Sequence, residues 1–339
     1  MSALSQVNGA GIKRWLPGLV ISAIAIFLLI RFSSWSEVVQ AVSLMNLGLL
    51  VPALVFFLIS LGFRALAWRV LLQNKVDYGR TFLTLNEGYL LNNIFPLRLG
   101  EIGRAFFMSQ STDLSGFFVL STIVIERAYD LAIAAGLLLS TLPYVFGVEM
   151  GETIALSVMI IVILGLFTMF LLARNRQWIQ SKLEDFSLRR FAFRDRILPR
   201  IKSLLAGLGV LAKFDQFLLS VLFMLISWLF GGLELYFITI SFGIQAEFWW
   251  IGFILGVISL GIAIPSAPAG LGVFEVAMVG AFSFLGISSS VALAIALVFH
   301  FIHIALTGFF GLYGIFRDGE SITGLFQQLR NFRYSGETS

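Results

Sequence analysis

Long apolar runs constrain this sequence most. Residues 44–72, 117–146, 153–173, 216–242 and 289–316 each reach or exceed the roughly 20 residues that a helix needs to cross a bilayer. Backbone polar groups inside lipid must be satisfied within the segment or in a closed barrel, and runs of this length select helices. The expected fold is therefore all-α, a polytopic integral membrane bundle. Composition agrees: 58% of residues are hydrophobic and 12% charged, against about 25% charged in soluble domains. With no cysteine, disulfides and thiolate chemistry are excluded, and two histidines are too few for a histidine-built metal site, so no metal or cofactor is expected. Nucleic acid is not an expected partner, because the basic residues cluster beside the spans without a recognition motif.

Charge placement orients the bundle. Lys13 and Arg14 precede the run 16–30, which resembles a signal peptide but is followed by Arg31, Phe32 and Trp35 rather than small residues, and so reads as a retained span. Between Arg174 and Lys213 ten Lys or Arg face three acids, which predicts a cytoplasmic loop, while the acidic loop at 147–152 faces outward. Trp178, Phe186, Phe191 and Ile197 interleave with the loop's charges, as in basic helices lying on anionic headgroups. The expected division is a cytoplasmic segment at 1–15, a transmembrane domain at 16–316 containing the basic loop 174–215, and a cytoplasmic tail at 317–339. Counting 248–264 and 273–287 as crossings gives about eight spans plus a re-entrant hairpin at 81–110, with both termini on the cytoplasmic side of the cell's inner membrane.

That hairpin holds the densest polar stretch. Asn92, Pro96, Arg98, Gly100, Glu101 and Arg104 fall within thirteen residues. Pro96 removes a backbone donor and the glycine weakens the helix, which only a protein-buried or water-lined position tolerates. Intramembrane charge is a functional-site candidate by default; the plainer alternative has Arg98 and Arg104 anchoring the interface by snorkelling. Glu126, Arg127 and Asp130 sit inside the next span, with Glu126 and Asp130 on one helical face and Arg127 able to pair with Asp130 at i, i+3. They fit a substrate-facing network or a self-neutralised latch between helices.

A second break reads Pro265-Ser-Ala-Pro268-Ala-Gly270-Leu-Gly272-Val-Phe-Glu275. Glu234 stands as a lone acid in the preceding span. His300 and His303, spaced i, i+3, either share a proton site or hydrogen-bond neighbouring helices. Pro96-x-x-Leu-Gly and Pro268-x-x-Leu-Gly match, and interrupted apolar segments at corresponding places in two halves point to a transporter's binding site. This is a weak internal repeat.

On three blocks the chain resembles the lysylphosphatidylglycerol synthase transmembrane-region family, also described as flippase-like membrane proteins, over roughly residues 15 to 317. The blocks are Asn92, Pro96, Arg98, Gly100, Glu101 and Arg104; Glu126, Arg127 and Asp130; and Pro265, Pro268, Gly270, Gly272 and Glu275, with Ala269 departing from the family's Pro-Gly-Gly. The resemblance implies transmembrane helices with re-entrant elements and association with lipids. In aminoacyl-phospholipid synthases the corresponding region is credited with moving the modified lipid between leaflets, while the aminoacyl transfer belongs to a separate soluble domain. After Phe316 only 23 residues remain here, too few for such a domain.

The expected activity is thus translocation of a phosphate-bearing phospholipid, isoprenoid-linked lipid or glycolipid. Arg98, Arg104 and Arg127 would grip phosphate, Glu101, Glu126 and Asp130 would hold or compete for them, and the Pro and Gly residues of the breaks would permit motion. Glu234 and Glu275 are candidate proton carriers. Two alternatives stand beside it: an integral-membrane lipid-modifying transferase, and an accessory subunit partnered with a lipid-synthesis enzyme.

Overall fold

The computed structural model describes residues 9–95, 99–147, 151–175, 177–178, 181–182, 209–262 and 266–317. Pro96, Arg98 and Pro265, most of the basic loop and the C-terminal tail lie outside this set. Among the described residues there are eleven α-helices and no strand. In order they are α1 Gly9–Phe32, α2 Trp35–Leu44, α3 Leu50–Leu71, α4 Tyr78–Ile94, α5 Leu99–Ser111 and α6 Gly116–Val145. They continue as α7 Gly151–Arg174, α8 Phe214–Ser241, α9 Phe248–Gly261, α10 Val273–Phe284 and α11 Ser289–Arg317.

Helix length divides them into two kinds. Four are long and apolar enough to cross a membrane, namely α3 with the turn before it, α7, α8 and α11, and the pair α1–α2, bent by 80°, makes a fifth if counted as one span. Helix α6, at 30 residues, is also long enough but carries three charged side chains near its middle. The apolar side chains of α7 point almost wholly outward, as in Leu156 and Ile161, and lipid is the solvent that suits such a surface. The chain is an integral membrane protein.

The remaining helices are short. With 17 and 13 residues, α4 and α5 reach about 26 and 20 Å; with 14 and 12, α9 and α10 reach about 21 and 18 Å. None spans a hydrocarbon core of about 30 Å. Each pair packs on itself as a helical hairpin. The expected hairpin at 81–110 is the first of these. Residues 248–264 and 273–287, counted above as two crossings, form the second, because the helix stops at Gly261 and resumes only at Val273.

The hairpins are built by close backbone approach. A Cβ at Gly100 would overlap the carbonyl oxygen of Gly88, so only glycine lets α5 lie this near α4. Across the same break, Asn92 Oδ1 accepts a hydrogen bond from the Gly100 amide at 2.8 Å. At the second break Ala269, Gly270 and Gly272 all take positive φ, at 58°, 76° and 85°. Ser22 of α1 supports this turn by accepting from the Ala267 amide at 2.8 Å.

The two halves repeat. A span, a short helix, a break, a second short helix and a long helix occur as α3–α6 and again as α8–α11. Helices α3 and α8 pack against each other, and they run antiparallel: the Asn46 amide donates to Ser241 O at 2.8 Å near one end, while Phe63 meets Phe223 at 5.8 Å further along. At their crossing Ser60 Oγ donates to Ser227 O and Ser227 Oγ to Ser60 O, at 2.8 and 2.9 Å. The ring pairs Phe56–Phe230 and Phe63–Phe223, at 5.7 and 5.8 Å, exchange under the same two-fold relation. Residues 56–63 and 223–230 both read Phe-x-Leu-Ile-Ser-x-x-Phe. The hairpins are traded: α4 packs on α11 of the second half, and α9 on α6 of the first. This is an inverted repeat, with two large apolar cores that both draw on α3 and α8, and Phe82 and Tyr89 touching both.

Candidate functional site

The first half brings six charged side chains into one network. Glu126, completely buried on α6, is its centre. Its carboxylate accepts from Arg104 Nη2 and Nη1 at 2.7 and 3.3 Å, from Arg64 Nε at 3.2 Å and from Arg127 Nη2 at 2.9 Å. One turn on, Asp130 pairs with Arg64 Nη2 and with Arg127 Nη1 at 3.1 Å, and accepts from Trp228 Nε1 at 3.0 Å. Arg127 Nε lies 3.4 Å from Glu101 of α5. Helix periodicity produces this convergence, since residues one turn apart on α6 face the same neighbours.

Three guanidinium groups thus balance three carboxylates. Removing one member of a buried pair strands its partner's charge at a cost of about 3–5 kcal/mol, so the centre of the network is held tightly. Trp68 adds a flat support: the Arg104 guanidinium lies 3.9 Å above its ring, and its own Nε1 donates to Thr122 at 3.0 Å. Buried Nε atoms on Arg104 and Arg127 have no hydrogen-bond partner among the described residues. The network opens at one edge, where Arg127 and Glu101 remain 33% and 27% exposed.

Of the candidates read from sequence, Glu101, Arg104, Glu126, Arg127 and Asp130 meet here, while Arg98 and Pro96 lie outside the described residues. Asn92 straps the break rather than joining the ions. Glu275 belongs to the other half. The sequence analysis singled out neither Arg64 nor Trp228. The signal was position: Arg64 sits within the apolar α3, well short of its end at Leu71, whereas Arg69 lies in the last turn.

The second half carries two carboxylate–imidazole pairs. His300 Nδ1 lies 2.6 Å from Glu275 Oε1, and its Nε2 lies 3.0 Å from Ala269 O. Glu275 Oε2 accepts from the Gly272 amide at 2.7 Å, which caps α10. His303 Nε2 meets both oxygens of Glu234, at 3.0 and 3.1 Å. Each histidine therefore has its own acid on a different helix. A short chain continues to the first hairpin, with Thr307 Oγ1 donating to His303 O and Asn93 Nδ2 to Thr307 Oγ1. Among the described residues no group of three or more His, Asp or Glu is placed to hold a metal ion.

Two clefts mark the surface elsewhere, one at Tyr236, Ile240 and residues 243–247 and one between Leu58, Leu66 and Tyr78. Neither reaches the ion network.

Comparison with known proteins agrees with these features. The family described as "Lysylphosphatidylglycerol synthase TM region" matches residues 15–311. A UPF0104 membrane protein of Methanothermobacter thermautotrophicus is 27% identical over 291 residues, covering 81% of this chain and 86% of that one. Two UPF0104 membrane proteins of Methanocaldococcus jannaschii are 26% and 21% identical, over 62% and 83% of this chain and 87% and 88% of their own. On a match that takes in both hairpins and both charged clusters, the chain belongs to the lysylphosphatidylglycerol synthase transmembrane-region family.

Proposed function

We propose that this protein carries a phosphate-bearing lipid headgroup across the cytoplasmic membrane, with the ion network as its grip. The observation that carries this reading is the half-open Arg127–Glu101 pair at the edge of an otherwise buried, charge-balanced cluster. A fixed set of three arginines matched by three acids has no spare charge for a ligand. The rim pair, longer and more exposed than the rest, supplies it: a phosphate oxygen replaces the Glu101 carboxylate on Arg127, whose planar fork suits bidentate contact. When the headgroup leaves, Glu101 returns. Glu126 and Asp130 hold the Arg127 guanidinium ready throughout.

The inverted repeat supports the same reading. Transporters built this way place their sites at broken helices where the halves meet and alternate access by moving one half against the other. Here each half contributes a hairpin to its partner, so such movement changes both breaks at once. The excess of Lys and Arg at 174–213 supports a cytoplasmic position for that loop and, with an even number of crossings, for both termini.

A lipid-modifying transferase is less well served. Glu126 spends its lone pairs on three guanidinium groups, which leaves it a poor general base. The test is reconstitution of the purified chain into vesicles containing labelled phosphatidylglycerol or labelled phosphatidylcholine, followed by leaflet exposure over time. Faster exposure of label than in empty vesicles supports the proposal. A covalently altered lipid would instead indicate the transferase, and no movement without an added synthesis enzyme would indicate the accessory subunit.

A further inference from the structure

The headgroup path leaves the two carboxylate–imidazole pairs of the second half unused. We propose that these pairs bind the protons that drive translocation, with His300–Glu275 acting as a proton-held latch on the second hairpin. The proposal rests on the translocator reading above.

The proton inventory is fixed by geometry. Ala269 O accepts only, so His300 Nε2 facing it at 3.0 Å carries a hydrogen. At 2.6 Å, Nδ1 and Glu275 Oε1 need one more proton between them, since two lone pairs repel at that distance. Glu275 Oε2 is occupied by the Gly272 amide. Ring and carboxyl together therefore hold two protons and no net charge, the state best suited to apolar surroundings.

Loss of the shared proton to water leaves a carboxylate and a neutral ring with lone pair facing lone pair, and the contact opens. The same ring grips the Ala269 carbonyl and the same carboxylate caps α10, so opening loosens the hold of α11 on the turn at Pro268–Gly270. That turn runs through Ala269 at φ 58°, a left-handed conformation that persists only where its surroundings impose it. Deprotonation removes part of that imposition.

One turn along α11 the second pair provides a route in. Glu234 is fully buried, while the His303 side chain paired with it is 36% exposed. Other titratable or charged groups with described side chains on helices packed against α11 are Tyr78, Arg80, Glu87 and Tyr89 on α4, Asp215 and Tyr236 on α8, Glu37 on α2 and Arg31 on α1. Glu87 approaches α11 at Gly314, beyond both histidines. A proton that crosses with a singly charged phosphodiester makes the transfer electroneutral.

Because the chain has two histidines, nitrogen-15 histidine labelling gives one signal set for each ring. The full chain in phosphatidylethanolamine–phosphatidylglycerol vesicles is titrated between about pH 5 and 8, where imidazoles change state, with His300→Gln and His303→Gln assigning the signals. We expect the His300 ring signals to change with pH in the wild type and to lose that change in Glu275→Gln. In parallel, exposure of labelled phosphatidylglycerol should quicken under an imposed pH gradient in the wild type and lose that dependence in Glu275→Gln and in His300→Gln. Rings that keep one protonation state across the range, or wild-type movement indifferent to the gradient, overturn the proposal. If the wild type moves no lipid under any gradient, the translocator reading has failed and the drive with it, while a titrating His300 would still establish the latch.

Discussion

Ser60 and Ser227 hold each other by reciprocal hydrogen bonds, each hydroxyl donating to the other's main-chain carbonyl, at 2.8 and 2.9 Å. The pair lies on the local two-fold axis between α3 and α8. Side-chain hydrogen bonds between membrane helices contribute about 0.6 kcal/mol on average and up to about 1.7. Ser60→Ala and Ser227→Ala should therefore each destabilise the detergent-solubilised protein by about 0.5–1 kcal/mol. Thermal unfolding with a double-mutant cycle checks this; an unchanged midpoint in the double variant would remove the axis from the list of stabilising contacts.

Within the ion network, position decides severity. Arg64→Ala or Arg104→Ala leaves the buried network one positive charge short and should cost up to about 3–5 kcal/mol, seen as low yield and early unfolding. Replacing the pair together, as Arg64→Leu with Asp130→Asn, should recover part of that loss. Unfolding midpoints in one detergent decide it, and single and paired variants of equal stability would contradict the balance described.

At the rim the same chemistry should separate fold from transport. Arg127 is a third exposed, so water or headgroups screen its loss. Arg127→Ala is expected to keep a near-native unfolding midpoint and to lose acceleration of labelled phosphatidylglycerol. Glu101→Gln, which removes the competing carboxylate, should bind anionic vesicles more tightly and release lipid more slowly. Vesicle co-sedimentation together with leaflet-exposure kinetics tests both.

The second break offers a gain. Ala269 sits at φ 58°, where a Cβ costs about 1–2 kcal/mol, while glycine loses about 0.4–1 kcal/mol through greater freedom when unfolded. Ala269→Gly should stabilise by up to about 1 kcal/mol and also weaken the turn's strain. Gly100→Ala should do the opposite, because its methyl overlaps the Gly88 carbonyl and parts the first hairpin.

Local features were legible in the sequence, and distant ones were not. Apolar length and the Pro/Gly breaks reported the all-α membrane fold and the first hairpin, because both act on their own segment. Glu126, Arg127 and Asp130 stood out because charge is rare inside a span. Arg64 did not, since an arginine in a span that ends in several basic residues reads as an anchor until Glu126, 62 residues away, is seen beside it. The partners of His300 and His303 lie 25 and 69 residues distant, and no spacing rule links them. The second hairpin hid because 248–264 is apolar enough to cross by composition, although its helix ends at Gly261. The Phe-x-Leu-Ile-Ser-x-x-Phe repeat uses residue types too common in membrane helices to be noticed without the α3–α8 contact.

The traded hairpins also set an order for biogenesis. Helix α4 leaves the ribosome long before α11, against which it finally rests, so the nascent first half must wait in the insertion machinery with an unfinished flank. Separate polypeptides cut within the loop between α7 and α8 should accordingly be degraded when expressed singly and rescue each other when made together.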